Sequence, residues 1–355
     1  MYASSTLSTP MKRLIFLLLF VYSEVAAQDT FTNPLLPSGP DPWSIYKDGH
    51  YYYMHTMGNR LVLWKTDNLA KLPQAEQKTV WTPPPTGPYS KQIWAPEIHY
   101  LRGNWYIYFA ADDGKNENHR LWVLENTSPD PMQGEWTLKG KLSDAGDHWA
   151  IDGSVFEHQG QMYLVWSGWE GDRNGQQNIY ISRMKDPWTM DGERVKIAAP
   201  TYDWERHGTI NDWQKKNEPP VVLVNEGPQV LVHGSKIHIV YSASGCWTDT
   251  YALGRMTASV NSDLLDPASW QKHPQPVFQQ SAGNGVYGTG HNSFFKSPDG
   301  QEDWILYHAN SEPGQGCGSR RSPRAQKFTW DTDDNPVFGL PVSTGIPLSI
   351  PSAAR

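Results

Sequence analysis

The sequence predicts an all-β protein, a five-bladed β-propeller of four-stranded antiparallel blades. Three observations carry that prediction. The chain is rich in large rings and turn formers: 17 Trp, 17 Tyr and 10 Phe stand beside 30 Gly and 28 Pro in 355 residues. That balance suits short strands and tight turns, lacks the Ala/Glu/Lys/Leu heptads of a coiled coil, and supplies enough buriable apolar surface to exclude disorder. Helical periodicity is scarce. Above all, one hairpin pattern recurs five times.

The first copy runs from Tyr46 through Gly49 to Tyr53, and the second from Leu101 through Gly103 to Tyr108. The third runs from Glu157 through Gly160 to Trp166, the fourth from Val232 through Gly234 to Tyr241, and the fifth from Ser297 through Gly300 to Tyr307. In each, a polar turn containing Gly supplies the positive φ of a tight hairpin, and aromatic and β-branched residues follow as a strand. A third strand is expected at Leu61–Lys65, Leu121–Glu125, Ile179–Arg183, Tyr251–Thr257 and Arg324–Trp330. Turn clusters carrying Trp, such as Asp186-Pro187-Trp188, then lead to a fourth. Repeated meanders of this size close radially into a propeller, which protects strand edges. A β-sandwich with coincidental spacing is the competing architecture.

Ahead of the repeats, Lys12 and Arg13 precede the apolar run Leu14–Tyr22, and Val25, Ala26 and Ala27 follow. This order reads as a secretory signal peptide over residues 1–27, leaving residues 28–355 as one propeller domain. The run is too short to span a bilayer and no later segment approaches the necessary length, so an exported protein, periplasmic or extracellular, without a membrane span is expected. The formal net charge of −7 argues against a nucleic-acid partner. Cys246 and Cys317 are the only cysteines. They either form a disulfide, which an oxidising compartment permits, or remain two buried thiols. Oligomeric state leaves no trace in the sequence.

Counting back from the turn glycines places acidic residues at a common phase. Asp41, Asp152 and Glu226 each lie eight residues before their Gly, Glu97 six before, and His291 nine before. All fall at or near the start of a first strand. First strands line the channel of a propeller, so these side chains are expected around one mouth of it. The Gly and Pro residues beside them either bend the backbone toward a pocket or mark turns between blades. Converging carboxylates among many aromatics suit glycoside hydrolysis. One carboxylic acid protonates the leaving oxygen while a second carboxylate serves the other face of the sugar. Trp43, Trp94, Trp149, Trp169 and Trp247 lie near strand starts or pocket-side loops. They are candidate platforms for sugar rings as a set, though any one of them alone reads as a packing residue.

Taken in order, five motifs resemble glycoside hydrolase family 43, five-bladed propellers that act on plant polysaccharides. They are Gly39-Pro40-Asp41-Pro42, Trp94-Ala95-Pro96-Glu97, Ile151-Asp152-Gly153-Ser154, Asn225-Glu226-Gly227-Pro228 and Gly290-His291-Asn292-Ser293. The resemblance covers residues 34–345. It implies that Asp41 is the general base, Glu226 the general acid, and Asp152 the residue that orients the acid and raises its pKa. A like charge nearby does make a carboxyl harder to ionise. The resemblance also implies inversion at the anomeric carbon, which needs roughly 6.5–9.5 Å between base and acid to admit a water. His291 resembles the family's channel histidine, beside a calcium or a water. Calcium prefers oxygen ligands, so a hydrogen-bonded channel histidine is the other reading. Arg324 resembles the arginine that reaches the acid or substrate, with a surface ion pair as its other reading. The implied substrate-binding set is Trp43, Trp94, Glu97, Trp169, Trp247, His291 and Arg324. No cofactor is required, and a structural calcium stays open. Fructan-cleaving propellers share an Asp-Pro like Asp41-Pro42 but use an Arg-Asp-Pro and a Glu-Cys that are absent here.

The implied function is an exported, inverting hydrolase acting on an oligo- or polysaccharide, with exo-α-L-arabinofuranosidase favoured. That preference rests on an expectation that no C-terminal β-sandwich follows the fifth blade, since such domains restrict the pocket in xylosidases. β-Xylosidase, galactofuranosidase or galactanase, and endo-arabinanase activities stay open, as does a non-catalytic carbohydrate-binding propeller. The stretch Pro200–Pro220 either walls the pocket, favouring exo action, or is a surface excursion.

Overall fold

The computed structural model describes residues 1–2, 30–210 and 219–353. The signal-peptide reading of residues 1–27 lies outside the described residues apart from Met1 and Tyr2, and residues 211–218 of the Pro200–Pro220 stretch lie outside them too.

The predicted hairpins form. In the first three, both central turn residues take positive φ: Asp48 and Gly49, Arg102 and Gly103, Gln159 and Gly160. That is the geometry whose twist matches the flanking strands. Each hairpin opens a four-stranded antiparallel meander. The first comprises Trp43–Lys47, His50–Met54, Leu61–Thr66 and Glu76–Trp81. The second comprises Lys91–Leu101, Asn104–Asp112, Arg120–Asn126 and Thr137–Leu142. The third and fourth belong to one eight-stranded sheet. The third runs Ala150–His158, Gln161–Trp169, Gln176–Asp186, Thr189–Ala198, and the fourth Leu223–His233, Lys236–Ala243, Ala252–Ser259, Gln271–Lys272. A short parallel pairing of Gln176 and Gln177 with Leu223 and Val224 joins the two. The fifth comprises Tyr287–Lys296, Asp303–Asn310, Ser322–Trp330 and Pro336–Val337.

The core is a set of seams rather than one mass. Among the described residues, buried apolar clusters lie between the first and second meanders, the second and third, and the third and fourth. Two more lie between the fourth and fifth and, closing the ring, between the fifth and first. Second strands are consequently buried on both faces, as in Asn104–Asp112, while an outer strand such as Glu76–Trp81 is mostly exposed. Each first strand touches the next around the ring, from Trp43–Lys47 through to Tyr287–Lys296 and back. This is the radial closure of a propeller. The ends of the described chain seal it: Thr30–Thr32 pairs with Pro347–Ser349, and the Asn33 amide bonds the backbone of Ala325 in both directions. No helix among the described residues is long and apolar enough to cross a membrane.

Candidate active site

Four of the five first strands begin irregularly. The ladder slips between Trp94 and Glu97, Ile151 and Ser154, Glu226 and Gln229, and Gly290 and Ser293. Within each slip one residue takes positive φ: Ala95, Asp152, Gly227 or His291. Asp41, just ahead of the first inner strand, does the same at φ 57°. A β-bulge re-aims a side chain at the cost of a ladder bond, and positive φ in non-glycine residues marks a backbone held by its surroundings. The four bulges and the positive-φ turn at Asp41 ring one end of the channel and place Asp41, Asp152 and His291 at equivalent positions.

Glu226 is not at that position. The equivalent residue is Gly227, and Glu226 lies one residue earlier. Its eight-residue count arises because His233 pairs with Lys236, so Gly234 occupies the first central turn position, whereas Gly160 occupies the second. The two offsets cancel, and Glu226 still reaches the pocket.

Side chains of neighbouring strands and turns anchor these bends. Thr56 Oγ1 donates to Asp41 Oδ2 at 2.7 Å and accepts the Ala95 N–H at 2.7 Å. Asp152 Oδ2 accepts the Gly227 N–H at 3.0 Å. Ser242 Oγ accepts the His291 N–H at 2.7 Å, and His308 Nδ1 accepts the Asp41 N–H at 3.1 Å. A pocket of about 300 Å³ opens above them. Its floor holds Asp41, Asp152, Glu226 and His291; Trp94 and Trp149 stand on one side, Trp247, Arg321 and the disulfide-bonded Cys246 and Cys317 on another.

The carboxyls are held in different ionisation states. Burial opposes charge on Asp41, but Arg321 Nη1 donates to its Oδ1 at 2.8 Å, His291 and His308 lie close, and Thr56 bonds it. Together they keep Asp41 well below the usual carboxylate range. Burial also dominates at Glu226, and with the charge of Asp41 it outweighs the 2.8 Å bond from Tyr251 Oη and the pull of Arg321, pushing the carboxyl up to about 7. Asp152 is raised well above its ordinary value by burial first, then by the charges of Glu226 and Asp41, against the Gly227 bond. Asp152 and Glu226 titrate as a pair. Burial also lowers the pKa of His291, against the opposing charges of Asp41 and Glu97.

Other predicted site residues are placed as follows. Trp94, Trp149, Trp247 and His291 line the pocket. Trp169 lies behind the wall, buried and stacked on Trp149 with centroids 4.7 Å apart. Trp43 packs into the seam below, its Nε1 donating to Ile98 O at 2.7 Å and its ring over His99. Glu97 sits two residues past its bulge, down the channel, where it accepts from Gln229 Nε2 and pairs with His99. Arg324 is fully buried inside the fifth meander, donating to Thr344 and Ser311. The arginine that reaches a pocket carboxylate is Arg321, which lies three residues earlier, just ahead of the same strand, and bonds Asp41. For calcium, His291 offers a nitrogen 3.4 Å from Asp41 and 4.0 Å from Asp152. Among the described residues no group of three or more His, Cys, Asp or Glu side chains is arranged to hold a metal. The donor set around His291 does not fit calcium, which wants six to eight oxygens.

Sequence reasoning missed Thr56, Tyr251, His308, Arg321 and the polar wall of Asn116, Asn174 and Gln177. Thr56 follows a second strand, His308 lies on one, and Tyr251 immediately precedes a third strand, away from the inner-strand starts that the count from the turn glycines picks out. The described flanks of Pro200–Pro220 pair with each other, Ile210 N–H to Pro220 O and Val222 N–H to Gly208 O. Thr209 O accepts Trp247 Nε1. These described flanks therefore back the pocket wall.

Known proteins have related sequences and structures. The extracellular exo-α-(1→5)-L-arabinofuranosidase of Streptomyces avermitilis is 38% identical over 89% of this chain and 65% of its own. The chain thus spans slightly less than two thirds of that relative. The enzyme of the same description from Streptomyces chartreusis is 37% identical over 79% of this chain and 82% of its own. The crystal structure of an α-L-arabinofuranosidase from Lactobacillus brevis superimposes with a TM-score of 0.81 at 36% identity, covering 89% of this chain and 98% of that one. A model of the glycosyl hydrolases family 43 matches residues 31–336. With that match running from the strand that seals the ring to the last strand of the fifth meander, the chain belongs to glycosyl hydrolase family 43.

Proposed function

We propose that the protein is an exported, inverting exo-α-L-arabinofuranosidase that removes terminal arabinose from an oligo- or polysaccharide. The observation that carries this reading is the split ionisation within one pocket. Asp41 is held charged by Arg321, while the buried Asp152–Glu226 pair retains a proton near neutrality. An acid and a base are thereby available at the same pH.

Glu226 gives its proton to the glycosidic oxygen as the C1–O bond breaks. Asp41 takes a proton from the water whose oxygen bonds to C1 on the opposite face. The aglycone leaves as an alcohol and the sugar as the inverted hemiacetal. Asp41 is left protonated and Glu226 charged, and exchange with solvent restores both. Asp152 orients Glu226 by tying down the next residue, Gly227. The pocket volume, near the low end of the roughly 300–1,000 Å³ usual for small-molecule sites, suits one terminal sugar better than a bound chain. The names of the relatives support arabinose as that sugar and an extracellular place of action.

A panel of nitrophenyl glycosides tests this reading. Wild type should release nitrophenol from the α-L-arabinofuranoside ahead of the β-D-xyloside and β-D-galactofuranoside, and Asp41→Ala should abolish it. Release from the xyloside alone would overturn the sugar assignment. No release, with polysaccharide still bound, would make the protein a binding module.

A further inference from the structure

One wall of the pocket is closed by a covalent bond between loops of the fourth and fifth meanders. Cys246 and Cys317 form a disulfide with Cα atoms 5.1 Å apart, and both line the pocket beside Trp247 and Arg321. The two segments it joins are unlike. The fourth-meander segment is held by its own bonds. Ser244 Oγ donates to Trp204 O at 2.7 Å, Gly245 N–H to His207 O at 2.8 Å, and the Thr248 N–H and hydroxyl both donate to Gly245 O. The Trp247 ring lies so close over Gly245 that a Cβ there would collide with it.

The fifth-meander segment, residues 311–321, is largely exposed and carries Gly314, Gly316 and Gly318, each facing open space. Ties to Asp249 and Asn310 secure its first half, at Gly314 and Gly316. The disulfide secures the next residue, Cys317. Gly318 then does something specific: its carbonyl accepts both the N–H and the Nε–H of Arg321, each at 3.3 Å. The guanidinium so oriented places Nη1 on Asp41 Oδ1 at 2.8 Å. A chain of contacts therefore runs from Cys246 through Cys317 and Gly318 to Arg321 and the carboxylate.

We propose that the Cys246–Cys317 disulfide positions the site: by fixing Gly318 it holds the Arg321 guanidinium on Asp41 and keeps the Trp247 wall closed over the sugar. This rests on the reading of Asp41 as the base. The groups that face Asp41 are Arg321 from this segment, His291 and His308 from the fifth meander, and Thr56, Tyr53 and His55 from the first. The carboxyls of Asp152 and Glu226 face it across the floor. Of these, Arg321 is the full positive charge. Burial lowers the pKa of both His291 and His308. Loosening Arg321 thus weakens the main counterweight to burial at Asp41.

The test is a cycle of Cys246→Ser/Cys317→Ser, Arg321→Gln and the combined variant, followed by kcat and KM against pH on the aryl arabinofuranoside. The double serine variant should lower kcat on the order of tenfold, raise KM, and move the acid limb of kcat/KM up by about one pH unit. In the Arg321→Gln background the same serine changes should move the acid limb no further. An unmoved acid limb, or an equal shift in both backgrounds, would overturn the proposal. If the double serine variant does not fold, wild type reduced with a dithiol takes its place, two free thiols per chain being confirmed by titration and the effect reversed on reoxidation. A readout without turnover separates this proposal from the arabinofuranosidase reading. NMR of protein labelled with 13C at the aspartate carboxyls, assigned with Asp41→Asn, should show Asp41 titrating at higher pH once the disulfide is absent. An unchanged Asp41 titration would overturn the proposal whatever the activity.

Discussion

Asp152 Oδ2 accepts the backbone N–H of Gly227 at 3.0 Å, tying the bulge of the third inner strand to that of the fourth one residue beyond Glu226. The position of Glu226 thus depends on a neighbouring carboxyl. Asp152→Ala leaves a buried N–H without its partner, which costs about 1–3 kcal/mol in denaturant unfolding. It also frees the backbone that carries Glu226, so kcat should fall, while the basic limb, set by burial of Glu226 and the charge of Asp41, should stay near its wild-type pH. A variant with wild-type stability and wild-type kcat would contradict this role.

Asp41→Asn should lower kcat by roughly 10²–10⁴ while KM changes little, because the base acts in the transition state rather than in binding. Stability gives an independent check. The folded-state pKa of Asp41 is depressed, so its ionised form stabilises the fold above the ordinary carboxylate pKa, and that contribution is lost as pH falls toward the folded value. Asp41→Asn should therefore be less stable than wild type at pH 7, with the gap closing as pH is lowered below about 4. Thermal unfolding at several pH values reads this.

The sign reverses at Glu226. Its folded-state pKa is raised to about 7, so its contribution to stability is full below the unfolded value and lost as pH rises through about 7. Glu226→Gln keeps an acceptor for Tyr251 Oη and carries no charge. It should unfold at a temperature roughly 2–4 °C above wild type at pH 8, with the difference vanishing near pH 4. Its activity should fall more on natural glycosides than on nitrophenyl ones, whose leaving group needs little protonation. Equal losses on both substrates would count against the acid assignment.

Trp43 and Trp247 separate packing from binding. Trp247→Ala should raise KM, because its ring stands on the pocket wall. Trp43→Phe should leave KM unchanged and cost about 1 kcal/mol of stability through the lost bond to Ile98 O. A KM effect at Trp43 would return it to the substrate-binding set.

The repeat made the fold legible, since five Gly hairpins followed by aromatic strands are a local pattern and turn chemistry is local physics. The bulges were not legible. Whether Gly234 takes the first or second turn position decides which residue is equivalent to Asp152, and the sequence alone does not say. Asp41 and Asp152 were found by phase; Glu226 was found although its phase argument was off by one. Arg324 and Arg321 stand on or beside one strand, and only the three-dimensional path of residues 311–321 shows which one turns to Asp41. Trp43, Trp169 and Glu97 were near the site in sequence but turned into a seam, behind a wall and down the channel, because packing decides where a ring faces. The disulfide, left open by sequence, joins loops that meet only once the ring closes.

The most direct test of the account is proton NMR of the sugar first released from an α-1,5-linked arabino-oligosaccharide, recorded before mutarotation. An ionised Asp41 delivering water opposite a protonated Glu226 predicts β-L-arabinofuranose, taken one unit at a time from one chain end. Appearance of the α anomer first would mean retention, and with it a covalent intermediate that this assignment of Asp41 and Glu226 does not allow.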